Sequence, residues 1–308
     1  MQLYRYLPGA ARSAANARVV AIGAFDGVHL GHRAILRELV SRGKARGLPA
    51  AVVSFEPMPR EFFAPANPPA RLTRFREKFE LLNSLAIDEL VCARFGSVRD
   101  MTPEVFVSEF LVEGLAARHV VVGDDFHYAA GRSGDLDTLK RAGAELGFGV
   151  TVVPGVHWQG QRISSTAVRL ALRAGDLETA RGMLGRDYSM SGRVVRGLGL
   201  GRKLGYPTAN VSLSRLQTPV DGIFAARVGG LAPRALDGVA SVGTRPTVGG
   251  EKPLLEVHIF DFDQHIYGEY ITVQFIERLR EERKYSDLDS MVAQMHEDAY
   301  AARAALAA

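Results

Sequence analysis

The spacing of apolar residues changes character part-way along the chain. In the first half, short apolar runs alternate with longer segments of helical spacing. The runs are RVVAIGAF (Arg18–Phe25), AAVVSFEP, ELVCARF, RHVVVG and VTVVP. The helical segments are GHRAILRELVSRG, FREKFELLNSL, PEVFVSEFLVEGL and DLDTLKRAGAELG. In the second of these, Phe75, Phe79 and Leu82 fall at i, i+4 and i+7 and predict an apolar face. Apolar strands alternating with helices predict a parallel sheet covered on both faces. After about Leu184 the runs SGRVVRG, GIFAARVGG, DGVASVG, LLEVHIFDF and YITVQFI are short and divided by Gly/Pro turns, which predicts an antiparallel barrel or sandwich. A final helix, SDLDSMVAQMHEDAYAARAAL, places Leu288, Met291, Val292 and Met295 on one face, predicted to be core. Two domains follow, residues 1–184 and 185–308.

A length of 308 residues agrees with two domains. Apolar residues make up 47% and charged residues 23%, as in an ordinary globular protein, and the chain has no apolar run long enough to cross a membrane. MQLYRYLPGAARSAAN lacks the apolar stretch of a signal peptide. The single cysteine, Cys92, cannot form an internal disulfide and reads as a buried strand thiol, so the cytoplasm is the expected compartment. The net charge of +4 is dispersed without Lys/Arg runs. Solubility is the plainest reading of that charge, with anionic small-molecule ligands next and nucleic acid third; neither nucleic acid nor membrane is expected as a partner, and a monomer or weak homo-oligomer is expected.

The chemistry concentrates in two glycine-rich stretches. IGAFDGVHLGH (Ile22–His32) lies where the first predicted strand hands over to the first helix. In an open α/β sheet ligands bind at the carboxyl ends of strands, and a helix N-terminus offers N–H groups to phosphate. Gly27 and Gly31 leave room for a phosphate to approach the backbone, and the spacing of His29 and His32 puts both imidazoles on one side as hydrogen-bond donors. The plainer alternative is a Gly-rich turn with incidental histidines. A zinc site is a weaker rival, because no cysteine or HExxH partner is near.

GAFDGVHLGH resembles the HxGH signature of the nucleotidyltransferase superfamily. With SFEPMPREFF, VGDDFHYAAGRSGD and RISSTAVRLAL it is similar to the adenylyltransferase module of the prokaryotic bifunctional riboflavin kinase/FMN adenylyltransferase (FAD synthetase) family. The resemblance implies a Rossmann-like α/β domain that joins FMN phosphate to the α-phosphate of ATP and releases pyrophosphate. It implies His29, His32, Arg162, Ser165 and Thr166 as catalytic residues and Gly23, Phe25, Asp26, Gly31 and Asp125 as nucleotide or flavin contacts. Ser164 or Ser165 also suits a helix cap, and Asp26 suits either a turn-fixing role or a nucleotide contact. Asp125 stands where some relatives carry asparagine, and FEPMP lacks a histidine that many carry between its prolines.

VVRGLGLGRKLGYPTANV, the second stretch, is not a Walker A loop, which needs GxxxxGK[ST]. Thr208 and Asn210 are hard oxygen donors at i and i+2 of an extended segment and point the same way, a disposition suited to Mg²⁺ with nucleotide phosphates. On spacing alone a hairpin with surface Thr and Asn is the plainer reading. The segment is similar to the flavokinase signature of the same family, and GTRPT, LEVHIFDFDQHIYGE and LREERKY resemble its later motifs. The resemblance implies a six-stranded antiparallel Greek-key barrel with a terminal helix that phosphorylates riboflavin with ATP to give FMN, the substrate for FAD formation. Thr208 and Asn210 would hold Mg²⁺, Gly199, Gly201, Lys203 and Arg280 would contact nucleotide or flavin, and Glu256 would be the catalytic base. Arg202 and Lys203 are not separated by spacing. Leu254, Glu256 and His258 share one strand face, which suggests a polar interior or pocket; the bland alternative is a solvated outer face.

Overall fold

The computed structural model describes residues 1–5, 7, 17–197, 201, 204–247 and 250–307. The chain divides into two compact units. One comprises Met1–Pro69 and Phe75–Ser164, the other Ala70–Arg74 and Ser165–Ala308.

The first unit is a six-stranded parallel sheet: β1 (Gln2–Tyr4), β2 (Arg18–Ile22), β3 (Ala50–Glu56), β4 (Glu89–Arg94), β5 (Ala117–Gly123) and β6 (Gly149–Val153), in the order β1-β4-β3-β2-β5-β6. All five residues of β2 are buried, because helices cover both faces. Helix α1 (Leu30–Arg46) crosses from β2 to β3 and ends at Gly47 in the left-handed conformation. The helices α2 (Pro59–Phe63) and α3 (Phe75–Ser84) follow β3. A turn of helix, α4 (Pro103–Val105), runs on as a π-helix over Phe106–Gly114, and α5 (Leu136–Leu146) precedes β6. Two apolar clusters fill the sheet faces, one around Val20, Phe110 and Val120, the other around Val19, Leu36 and Leu90. The chain steps outward from β2 through β3 to β4, then returns to the other side of β2 for β5. The strand order therefore reverses between β2 and β5, where open α/β sheets bind ligands.

Two details differ from the periodicity. On α3 the buried residues are Glu77, Lys78 and Leu82, while Phe75 and Phe79 are only half-buried. Cys92 does sit in a strand, β4, but half-buried.

The second unit contains the helices α6 (Ser165–Ala174) and α7 (Leu177–Leu184) and a closed barrel. The barrel strands are β9 (Tyr188–Val195), β10 (Ala209–Ser212), β11 (Gly222–Gly229), β12 (Leu236–Thr247), β13 (Gly250–Ile259) and β14 (Tyr270–Arg280), after the two-stranded hairpin β7 (His157–Trp158) and β8 (Gln161–Arg162) of the first unit. Barrel order is β10-β13-β12-β11-β14-β9, antiparallel throughout. The interior is apolar: Leu255 and Val257 of β13 point inward with Val242, Phe224 and Phe275. Glu256 and His258 therefore lie on the outer face, half-buried, rather than in a polar interior. Arg74 ties Ala70–Arg74 to this unit, donating to Leu213 O and Ser191 O at 2.6 Å and to the Tyr270 hydroxyl at 3.2 Å.

Helix α8 (Leu288–Ala307) packs outside the barrel. Its buried stripe is Gln294, Asp298, Ala302 and Leu306. Leu288 is 56% exposed, and Met291, Val292 and Met295 are half-buried. The helix is rotated from the expected face because Asp298 accepts a two-pronged ion pair from Arg280, at 2.8 and 2.6 Å.

Candidate active sites

The β2–α1 loop is buried and strained. Phe25, Asp26, Val28 and His29 are each at most 5% exposed. Phe25 (φ +48°) and the β-branched Val28 (φ +42°) occupy the left-handed region alongside Gly27 (φ +84°). Each such non-glycine residue costs about 1–3 kcal/mol and persists only where surroundings enforce it, typically at functional sites.

This loop delivers two imidazoles. His29 is the N-cap of α1, its Nδ1 accepting from His32 N at 3.2 Å, so a neutral His29 carries its proton on Nε2. The His29 and His32 rings stack at 3.6 Å between centroids, and the Phe25 ring lies 5.2 Å from that of His32, tilted against it. Gly31 makes the stack fit, since a Cβ there would stand 3.2 Å from the His29 ring. Gly23 in the same way accommodates the Phe25 ring. Burial, then His29 and then Lys78, hold His32 well below the ordinary imidazole pKa, so it is neutral at pH 7. Its buried Nδ1 has no hydrogen-bond partner among the described residues. A neutral ring with an unused nitrogen, beside a helix N-terminus, is equipped to bond an anion.

A charged cluster forms at the end of β5. Arg162 on β8 pairs with Asp124 and lies 3.5 Å from the Asp125 carboxylate. Asp124 also accepts from Gly155 N at 2.9 Å; the Arg162 bond, then the Gly155 bond, hold its carboxyl below the usual range. Asp125 is largely exposed. Ser165 and Thr166 begin α6, with Ser165 half-buried and Thr166 exposed.

In the second unit, Asn210 on β10 pairs directly across from Glu256 on β13, and Ser241 on β12 flanks Glu256 on the other side. Cross-strand partners share a face, so the carboxamide, carboxylate and hydroxyl stand together outside the barrel. Gly197 lies against Asn210, and Gly201 against Thr208. A Cβ on Gly197 would be 2.6 Å from Asn210 Cγ, and one on Gly201 would be 3.2 Å from Thr208 Oγ1. His258 Nδ1 bonds Pro207 O at 2.9 Å and fixes the turn before Thr208. Ser241 also donates to Glu282, whose carboxyl burial pushes to a higher pKa. Arg280 is engaged by Asp298 and by the Glu281 carbonyl, at 2.9 Å. Gly199, Lys203 and Arg202 lie outside the described residues.

Sequence reasoning missed Lys78. The residue is 1% exposed, and its ammonium donates to Ala24 O at 2.8 Å and Ser54 Oγ at 3.0 Å, directly behind the histidine loop. The one available signal was a lysine within the apolar period of α3.

The imidazole pair stands at the topological switch of an open parallel α/β sheet, and Asn210 faces Glu256 on adjacent strands of a closed antiparallel barrel. The FAD synthetase family profile matches residues 11–167 and the riboflavin kinase profile residues 184–306. The bifunctional riboflavin kinase/FMN adenylyltransferase of Escherichia coli (strain K12) is 44% identical over 98% of this chain and 97% of its own length. The enzyme of the same name from Haemophilus influenzae is 40% identical over 99% of both chains. A crystal structure described as a macrolide-efflux protein from Streptococcus pneumoniae superposes with a TM-score of 0.81 at 29% identity, over 96% of each chain. The chain belongs to the bifunctional riboflavin kinase/FMN adenylyltransferase family. Among the described residues no helix is long and apolar enough to cross a membrane.

Proposed function

We propose that the chain makes FMN from riboflavin and ATP at the barrel, and FAD and pyrophosphate from FMN and ATP at the histidine loop. Residues 185–308 would carry the first reaction and residues 1–184 the second. The observation that carries the reading is the paired placement of His29 with His32 at the β2/β5 reversal and of Asn210 with Glu256 on the barrel, within a chain related to these enzymes along nearly its whole length.

In adenylyl transfer the nucleophile is already an anionic phosphate, so positioning and charge stabilisation matter more than a base. His32 donates from its buried face to the α-phosphate as charge develops, and His29 holds the ring plane and the start of α1. Arg162, Ser165 and Thr166 hold phosphate oxygens, and Gly23, Phe25, Asp26, Gly31 and Asp125 shape the nucleotide and flavin contacts.

Riboflavin phosphorylation needs a base, because the ribityl 5′-hydroxyl must lose its proton as it attacks the γ-phosphate and ADP leaves. Glu256 takes that proton. Thr208 and Asn210 fit Mg²⁺, being oxygen donors at i and i+2 beside β10, one packed against Gly201 and the other against Gly197, with Asn210 8% exposed. The ion, when bound, neutralises charge on the transferring phosphates. Gly199, Gly201, Lys203 and Arg280 complete nucleotide and flavin binding. The protein works in the cytoplasm on small molecules, without nucleic acid or membrane, as a monomer or weak homo-oligomer. Incubation with riboflavin, ATP and Mg²⁺ followed by separation of flavins tests the reading: FMN must appear first and FAD after it. Formation of neither product refutes it.

A further inference from the structure

Lys78 is the least expected buried group in the first unit. Lysine is almost never fully buried unless its donors are used, because desolvating an ammonium is costly. Here the ammonium bridges two elements. It donates to Ala24 O (2.8 Å) in the loop after β2 and to Ser54 Oγ (3.0 Å) on β3, while Ser54 Oγ itself donates to Ala24 O (3.2 Å). Ala24 immediately precedes the left-handed stretch at Phe25, Gly27 and Val28. Such a stretch reverts unless its neighbours hold it. The clamp therefore grips the loop at the residue where its strained path begins. Phe25 then flanks His32, which stacks on His29. A chain of direct contacts leads from Lys78 through Ala24 and Phe25 to the imidazole pair.

We propose that Lys78 is a positioning residue for adenylyl transfer, its buried ammonium locking the Ala24 carbonyl so that Phe25, His32 and His29 are presented in one fixed stack. The inference rests on the assignment of adenylyl transfer to His29 and His32. The influence of Lys78 on His32 is consistent with this proximity. Ser54 alone cannot replace the clamp, because its hydroxyl has a single proton to donate, whereas the ammonium has three.

The test uses the full chain with Lys78→Met, which fills the space without a donor, and Lys78→Gln, which keeps a donor but no charge. Misplacing reacting groups by about 1 Å costs on the order of 10²-fold, so Lys78→Met should lower kcat for FAD formation from FMN by about that factor while KM for FMN and ATP stays within about threefold. Lys78→Gln should recover part of the loss, and riboflavin phosphorylation should be unchanged in both. A folded Lys78→Met with near-normal kcat, or a loss confined to KM, overturns the proposal. Unfolding of both variants also overturns it, since the residue is then a structural one. His29→Ala and His32→Ala, assayed in parallel, separate the two ideas: if they leave FAD formation intact, the site assignment itself fails, whatever Lys78 does.

Discussion

Gly197→Ala isolates one contact of the proposed kinase site. Gly197 is not among the residues with left-handed backbone, so alanine meets no conformational penalty there. The new methyl would instead stand nearest to Nδ2 of Asn210, then 2.6 Å from Cγ and 2.7 Å from Oδ1, about 1 Å short of ordinary contact. Two reliefs exist. Asn210 rotates away, or the backbone at Gly197 lifts by a comparable distance. Asn210 is 8% exposed and has little free space to rotate into, so overpacking of about 1–3 kcal/mol falls on this site. Rotation of Asn210 moves an oxygen donor relative to Glu256, and a displacement of about 1 Å costs on the order of 10²-fold in rate, about 2.7 kcal/mol. The assay is FMN formation from riboflavin at saturating ATP, with the Mg²⁺ requirement titrated in parallel and FAD formation from supplied FMN as the internal control. FMN formation at the wild-type rate and Mg²⁺ requirement, in a protein folded by circular dichroism, would refute both the close packing and the role of Asn210.

Glu256→Gln keeps size and hydrogen bonding but cannot accept a proton, so FMN formation should fall about 10²–10⁴-fold while riboflavin still quenches on binding; a loss under tenfold removes the base assignment. Burial, then Arg46 and Arg42, push His119 down to about 4, although Glu38 opposes them. The unfolded imidazole binds its proton near 6.5, so this contribution is complete above that pH and is lost as pH falls towards 4. Urea midpoints should decline across that window, and His119→Gln should flatten the decline; parallel slopes would contradict the assignment. A Ser189–Ala308 fragment retains β10 to β14 and nearly all of β9 but lacks Arg74, which bonds Ser191, Leu213 and Tyr270. It should fold and make FMN without FAD, with a lower Tm than the barrel shows in the full chain; an unfolded or inactive fragment would show that the barrel is not independent.

Much of this architecture is legible in the sequence because the determinants are local. The continuous apolar run at Arg18–Ile22 specifies a strand buried on both faces, and alternation along LLEVHI separates the face of Leu255 and Val257 from that of Glu256, although it does not say which of the two is interior. The histidine and PTAN motifs could be placed because each follows a strand. What escaped depends on partners distant in sequence. Lys78 is buried because Ala24 and Ser54, 54 and 24 residues away, supply acceptors, and no helical period encodes that. The rotation of α8 follows from Asp298 meeting Arg280, and an apolar moment gives no weight to an ion pair. Neither the π-helical stretch at Phe106–Gly114 nor the assignment of Ala70–Arg74 to the barrel unit leaves a compositional mark.

The membership of Ala70–Arg74 has a consequence for biosynthesis. Arg74 is translated 117 residues before Ser191 and 196 before Tyr270, the groups its guanidinium bonds. At about 5–20 residues per second, the ribosome leaves that side chain hydrated for roughly 10–40 s before its last partner emerges. The parallel sheet is complete in sequence by Val153 and can fold during that interval, whereas the barrel cannot reach its final contacts until β14 has been made. The order of synthesis is thus written into the chain: the earlier-made unit carries, within its own span of sequence, a segment held ready for the later one. A gene fusion or permutation that put the barrel first would reverse that order and leave the barrel waiting for Arg74.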